Sequence, residues 1–279
     1  MKAITFDVYG TLVRFHEAVE QVLAEIINEL GANVSVQTLR AEFRATQGPL
    51  QQAPAWSPYE EILKRGLQMT LEQRGLPYRA HDGERLVMTI SDARPFSEVP
   101  RTLAMLQRRA RLIFISNTDD HMIARNLSHL TITPDLVVTA EQAQMYKPAH
   151  GIFRYAWARA GIQADDTVHV AAGFHHDIEP AHALGIRRVW INRRGETGDQ
   201  RFGPYEELPD LARPAVAAWT VSVAVQCSPG HAWLTTVSPT PARYTARGST
   251  RSVRLTSTGT ETVEAASNSA VIQPDSLLV

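Results

Sequence analysis

An aspartate, Asp7, stands in the run Phe6-Asp7-Val8-Tyr9-Gly10-Thr11-Leu12, directly after the apolar stretch Ala3-Ile4-Thr5. That stretch predicts a first β-strand, so the carboxylate falls at its C-terminal end, with a glycine turn and the hydroxyl of Thr11 behind it. Ligands of open α/β sheets sit outside the carboxyl ends of the strands, where a carboxylate is placed to act as a nucleophile. Three more polar stations follow. Ser116 and Asn117 come after the apolar run ending at Ile115, Lys147 lies in the loop after 136–138, and Asp177 in the loop after 168–171. An ammonium keeps a buried carboxylate ionised, while hydroxyls, an amide and backbone N–H groups orient it and hold an anionic ligand. A second acid two residues after Asp7 would serve as a proton donor; Tyr9 stands there instead.

Those stations need a scaffold. Residues 16–94 read as helical throughout, with apolar positions at Val19, Val22, Leu23, Ile26, Ile27 and Leu30 and a stop at Gly31. Ser57-Pro58-Tyr59-Glu60 has the form of a capping box opening a helix towards Gly75, and a further helix is expected over 82–91. From Pro95 the pattern alternates: helix 98–109, strand 111–115, helix from Asp119 or Asp120 to Leu130, strand 136–138, a helix from Pro148 to Gly161, strand 168–171, helix 178–184, strand 188–191. Alternation of this kind indicates an α/β protein with a doubly wound parallel sheet, whose right-handed crossovers bring the strand ends to one edge. The expected domains are a core of 1–14 and 95–220, a helical cap of 15–94 inserted after the first strand, and a tail. The tail, 221–279, holds 18 Ser and Thr among 59 residues, which favours poor order.

Composition sets the outer bounds. The chain has 279 residues, 44% of them hydrophobic and 20% charged, with a formal charge of -1, so neither nucleic acid nor an acidic membrane surface is expected as a partner. No apolar run approaches the ~20 residues of a bilayer span. One cysteine, Cys227, cannot form an internal disulfide, and a cytoplasmic setting is the expectation. Among 28 basic residues only Lys2, Lys64 and Lys147 are lysine; a lysine inside a motif therefore points to a need for a compact ammonium. His175 and His176 precede Asp177, but adjacent loop residues rarely converge on one ion, so no metal site is expected there; His176 is instead a candidate base for a water.

With those residues in place, the chain resembles the haloacid dehalogenase superfamily over residues 1–215. The resemblance rests on Asp7-Val-Tyr-Gly-Thr-Leu12, Phe114-Ile-Ser-Asn117, Tyr146-Lys-Pro148 and His176-Asp177-Ile178, in that order and spacing. Phosphatases of the superfamily carry a second Asp two residues after the nucleophile, whereas its L-2-haloacid dehalogenases carry Tyr, as here at Tyr9; Val189-Trp-Ile-Asn-Arg193 also looks like the dehalogenase branch. The resemblance implies a Rossmann-like core with an inserted helical cap, a small anionic substrate, no cofactor and a homodimer. It implies that Asp7 attacks C2 of a short 2-haloacid to give an aspartyl ester that water hydrolyses to the 2-hydroxyacid. Thr11, Ser116, Lys147 and Asp177 would support catalysis; Tyr9, Asn117 and Arg44, the last on a cap helix, would meet substrate and halide, with Arg40 competing for the role of Arg44.

Halide leaves without a proton, while a phosphate ester expels an alkoxide that wants an acid and charge that Mg²⁺ usually neutralises. Tyr9 therefore suits carbon–halogen displacement. Three positions depart from the dehalogenase pattern: Phe153 replaces a usual Tyr, and Ala172 and Phe174 replace a Ser and an Asn that help prepare the hydrolytic water. They leave two alternatives standing, a Mg²⁺-dependent phosphatase with only Asp7, Asp177 and a backbone carbonyl as ligands, and a non-catalytic protein that binds a small anion or a partner.

Overall fold

Ala3–Phe6 forms a strand, β1, with every residue buried, because a parallel neighbour lies on each side of it. In this computed structural model, residues 3–212 are described, together with five short strands beyond them. The neighbours of β1 are Arg111–Ser116 (β2) and Thr167–Ala171 (β4); Leu136–Thr139 (β3) pairs outside β2, and Arg187–Ile191 (β5) and Glu206–Leu208 (β6) extend the sheet beyond β4. All five pairings are parallel, and the order is β3-β2-β1-β4-β5-β6. The chain builds outwards from β1 to β3, then returns to β1's other side at β4. That reversal leaves a crevice at the carboxyl ends of β1 and β4.

Alternation along the strands separates two cores. Ile4, Phe6, Leu112, Phe114, Val168 and Val170 face one side, with Val99, Leu103 and Leu106 of helix Val99–Gln107 (α5 below). Ala3, Ile113, Ile115 and Val138 face the other, with Ile152, Phe153 and Ala156 of helix His150–Ala160 (α8 below). A period of two thus delivers apolar groups to both helical layers.

Five helices separate β1 from β2: Phe15–Leu30 (α1), Val36–Gln51 (α2), Tyr59–Gln73 (α3) and Ala80–Ser91 (α4), which form one layer, and then α5. Asp120–Leu127 (α6) lies between β2 and β3, Ala140–Ala143 (α7) and α8 between β3 and β4, and Glu179–Ala183 (α9) between β4 and β5. Val22, Leu23, Ile26, Leu39, Phe43, Leu63, Leu67, Leu86 and Ile90 bury one another, and Met122, Ala140 and Tyr146 from the sheet side join the same cluster. The chain enters and leaves this layer side by side, since Arg14 N donates to Arg94 O at 2.9 Å and Phe96 N to Leu12 O at 3.0 Å.

Two expectations need correction. Ser57 makes no capping bond; Pro58 occupies the cap position of α3, and the helix borrows its acceptor from elsewhere. β6 was not expected, because Glu206-Glu207-Leu208 is short and mostly polar; it forms by pairing on the outer edge of β5.

Residues Met1–Thr220 form one compact unit and Val221–Val279 a second. In the second, Ala224–Gln226 (β7) pairs antiparallel with Ala232–Leu234 (β8), and Tyr244–Ala246 (β9) lies between Ser252–Val253 (β10) and Ile272–Pro274 (β11). The poor order expected for 221–279 otherwise falls outside the described residues. No helix among the described residues is long and apolar enough to cross a membrane.

Asn126 of α6, fully buried, fastens the helical layer from below. Its Nδ2 donates to Ile90 O at 2.9 Å and Ala93 O at 3.2 Å, and its Oδ1 accepts from Tyr9 Oη at 3.0 Å. Asn126→Ala removes a partner from three groups in a dry place, leaving Ala93 O and the Tyr9 hydroxyl hydrogen without one, and urea unfolding should show a loss of about 1–3 kcal/mol.

Candidate active site

Asp7 directly follows β1, and its backbone N–H donates to Val170 O at 3.1 Å, which continues the sheet one residue past the strand. Gly10 follows with φ +82°, the left-handed conformation that favours glycine, and turns the chain so that Thr11 comes back onto the carboxylate. Thr11 Oγ1 donates to Asp7 Oδ2 at 2.5 Å and accepts from Ala172 N at 2.7 Å. Lys147 Nζ donates to the other oxygen, Asp7 Oδ1, at 2.7 Å. The nucleophile candidate therefore has both oxygens held.

The same ammonium makes two further bonds, to Asp177 Oδ1 at 2.7 Å and to Ile115 O at 3.0 Å. All three hydrogens of the Lys147 ammonium are used, and its side chain is only 2% exposed. Its backbone is clamped as well: Lys147 N donates to Asn117 Oδ1 at 2.7 Å, and Asn117 Nδ2 donates to Lys147 O at 2.9 Å. Asp177 sits in a single π-helical turn, Phe174–Ile178, a distortion that recurs at functional sites. A Cβ on Gly173 would lie 2.5 Å from Asp177 Oδ2, so this loop closes on its own carboxylate only because residue 173 has no side chain.

Two buried groups that sequence reading missed complete the arrangement. His169 Nε2 lies 3.0 Å from Asp177 Oδ1, and His169 Nδ1 lies 2.9 Å from Thr5 Oγ1. With Asp177 ionised, His169 Nε2 is the donor to it, while the Thr5 hydroxyl lies between two partners, His169 Nδ1 and Val168 O at 3.3 Å. Thr5 and His169 are register partners in β1 and β4, and Phe153 packs edge-on against the imidazole at 5.2 Å. The signal was present in the sequence as one polar residue inside each of two otherwise apolar runs, Thr5 in 3–6 and His169 in 168–171.

Burial and charge pull against each other here. Burial raises the Asp7 carboxyl above its ordinary value, with Lys147 resisting. Burial acts likewise on Asp177, but Lys147 and His169 outweigh it and hold that carboxyl down to about 2. Burial would lower the Lys147 ammonium; Asp177 and Asp7 overcome it and raise it. Lys147 thus stays charged and Asp177 ionised across the working range, leaving Asp7 as the group that titrates.

A cavity of about 1160 Å³ opens onto this cluster, lined by Asp7, Tyr9, Asn117, Lys147 and Asp177 from the sheet edge and by Phe15, His16, Arg40 and Arg44 from α1 and α2. Arg40 pairs with Glu20 at 3.0 Å, whereas Arg44 is exposed and has no ion-pair partner among the described residues, which leaves Arg44 the uncommitted cation of the two. Burial, with smaller contributions from Arg194, Arg40 and Arg44, pushes His16 down to about 4. Burial also takes His176 down to about 4, so it is neutral.

The other residues around the cavity are held as follows. The Tyr9 ring lines the cavity, while its hydroxyl donates to Asn126 Oδ1 and accepts from Thr118 Oγ1 at 3.1 Å, so what Tyr9 offers the cavity is its ring. Asn117 has one amide N–H committed to Lys147 O, which makes it first of all a clamp on the lysine. Ser116 is fully buried, and its hydroxyl has no hydrogen-bond partner in the protein. Phe174 turns into an aromatic cluster with Trp190 at 4.9 Å and Tyr205 at 5.5 Å.

A divalent cation fits this donor set poorly. Mg²⁺ wants near-octahedral oxygen ligands; here each of the two carboxylates already gives an oxygen to one ammonium, and a phenol ring stands at residue 9. Elsewhere Glu29, His81 and Asp82 lie close together, but Arg79 and Arg85 neutralise that group.

Residues 1–185 match the family model for haloacid dehalogenase-like hydrolases. The chain is 25% identical over 212 residues to (S)-2-haloacid dehalogenase 4A of Burkholderia cepacia, covering 73% of this chain and 88% of that one. It is 26% identical over 233 residues to haloacetate dehalogenase H-2 of Moraxella sp. (strain B), covering 81% and 99%. Its fold is similar to that of L-2-haloacid dehalogenase from Xanthobacter autotrophicus solved with chloropropionic acid covalently bound, with a TM-score of 0.64, 15% identity, and 79% and 99% of the chains covered.

Lys147→Met leaves two buried carboxylates without their cation, and chemical denaturation should register a loss of about 3–5 kcal/mol. For pH, the sign follows from Asp7: its raised value puts the acid limb of kcat/KM above the ordinary 3.8, with the rate falling as Asp7 protonates. A pH–rate profile should also show no alkaline loss below the ordinary lysine value of 10.5, because the Lys147 ammonium is raised.

Proposed function

Because the chain belongs to the haloacid dehalogenase-like hydrolases, we propose that it hydrolyses the carbon–halogen bond of 2-haloacids through an ester on Asp7. The observation that carries this reading is the state of Tyr9. At the position where a proton-donating acid would serve an alkoxide leaving group stands a phenol whose hydroxyl is bound into Asn126 and Thr118 and whose ionisation burial pushes up. A leaving halide needs no such acid.

In the first step an Asp7 oxygen forms a bond to C2 while the C2–halogen bond breaks. The halide departs with the bonding pair towards Arg44, and C2 inverts. Lys147 and Thr11 hold the attacking carboxylate at a fixed angle, so little reorientation is left to the reaction. In the second step water attacks the ester carbonyl carbon, the 2-hydroxyacid leaves, and a proton is released as Asp7 returns to its carboxylate form. The ammonium of Lys147 and the hydroxyl of Thr11 are placed to take the charge that develops on the ester oxygens. Ser116, with its unpartnered hydroxyl, and the second N–H of Asn117 are our candidates for the substrate carboxylate. In this reading residues 15–94 serve as a cap over the core of 1–14 and 95–220, and two copies pair in a cytoplasmic setting.

The cavity is far larger than a three-carbon acid requires. Longer 2-haloacids should therefore be accepted alongside L-2-chloropropionate. A screen of 2-chloro acids of increasing chain length against p-nitrophenyl phosphate, each with and without Mg²⁺, tests the function. The expected result is halide release that chelator leaves intact; phosphate release that requires Mg²⁺, without halide release, favours the phosphatase.

Ala172 and Phe174 offer no polar side chain to the hydrolytic water, so ester hydrolysis should be the slow step. Rapid mixing should then show a burst of halide close to one equivalent per enzyme. Asp7→Asn should lower turnover by about 10⁴-fold or more, in protein that remains folded by circular dichroism.

A further inference from the structure

Asp119 occupies the position before α6 where a side chain would cap that helix, yet it makes no capping bond there. Both its oxygens reach another helix instead. Asp119 Oδ1 accepts from Tyr59 N at 2.9 Å and Oδ2 from Glu60 N at 2.8 Å, in the first turn of α3 and about 60 residues away in sequence. The carboxylate is 2% exposed and faces the positive end of the α3 dipole. One residue before that helix cap, Ser57 O accepts from Tyr146 Oη at 2.7 Å. Asp119 lies two residues after Asn117, and Tyr146 directly precedes Lys147. The two loops that carry the lysine and its amide clamp therefore converge on the start of α3.

From that point contacts run on into the cavity wall. The Tyr59 ring lies 6.3 Å from each of the Tyr9 and Tyr146 rings, and Tyr59 Oη donates to Gln47 Oε1 at 3.3 Å. Gln47 is on α2, one turn from Arg44, and Tyr59, Gln47 and Arg44 all line the cavity.

We propose that Asp119 is a positioning residue that ties α3, and through it Arg44, to the loops carrying Asn117 and Lys147, so that the helical layer is seated in register over Asp7. It touches no substrate. It sets the distance between the groups that receive the leaving group and the group that attacks.

A merely structural role, as the missing cap of α3, makes a different prediction, and one pair of variants separates the two. Asp119→Ala removes both cap and tether; adding Pro58→Asp gives α3 a local cap and restores no tether. On purified enzyme with L-2-chloropropionate, an assay that rests on the proposed function, Asp119→Ala should raise KM roughly tenfold, with Asp119→Asn, which keeps one acceptor, in between. The added Pro58→Asp should return the melting temperature and the hydrogen-exchange protection of Tyr59 and Glu60 but leave KM high. It should also leave the amides of Arg14 and Phe96, which bond across the two linkers, exchanging faster than in the native protein. If Pro58→Asp restores KM and linker protection together, or if Asp119→Ala changes neither, the tether is refuted. Should the native protein release no halide, the functional reading fails by itself, while linker exchange still decides for or against the tether.

Discussion

One buried ammonium holds the site together. Lys147 Nζ lies 2.7 Å from a carboxylate oxygen on each of two loops, and at 3.0 Å from the backbone of a third segment. Taking three charges out of water is costly, and only close, fully hydrogen-bonded geometry recovers that cost. The requirement fixes where β1, β2 and the loops after β3 and β4 must end relative to one another. It also explains the surrounding detail: Asn117 grips the lysine backbone on both sides, Gly173 lets Asp177 approach, and His169, backed by Thr5, bonds the same Asp177 oxygen as the lysine.

Two carboxylates share that single cation unequally. Asp177 has a second partner in His169 and is held ionised, so it serves as a fixed counter-charge. Asp7 has a hydroxyl in that place and is raised by burial and by the neighbouring Asp177 charge, which leaves it the more basic of the pair. A carboxylate that is ionised yet not over-stabilised is a better nucleophile than a fully paired one. The proposed division of labour, Asp7 attacking and Asp177 as electrostatic support, would thus follow from one imidazole being placed on one side only.

The clustered polar groups of the candidate site were legible in the sequence because each stands where an apolar run stops. Asp7, Asn117, Lys147 and Asp177 could be placed at the same sheet edge from alternation alone, and the structure brings them together. What was not legible depends on pairing across the fold. Thr5 and His169 are adjacent only through the β1–β4 register, and Asp119 reads as the cap of its own helix until α3 is seen lying against it. Ser57-Pro58-Tyr59-Glu60 has the letters of a capping box, but the proline takes the cap position itself. The roles of Tyr9 and of the two arginines were likewise open, since a hydroxyl's partner and an ion pair with Glu20 are facts of packing.

The account stands on Asp7 attacking carbon directly, and isotope transfer tests that most plainly. A single turnover with enzyme in excess over L-2-chloropropionate in ¹⁸O-water should give unlabelled lactate and place the ¹⁸O in the Asp7 carboxylate, read by mass spectrometry of the peptide that contains it. Lactate that carries ¹⁸O from the first turnover, with Asp7 unlabelled, would mean that water itself attacked the substrate, and would contradict the ester route.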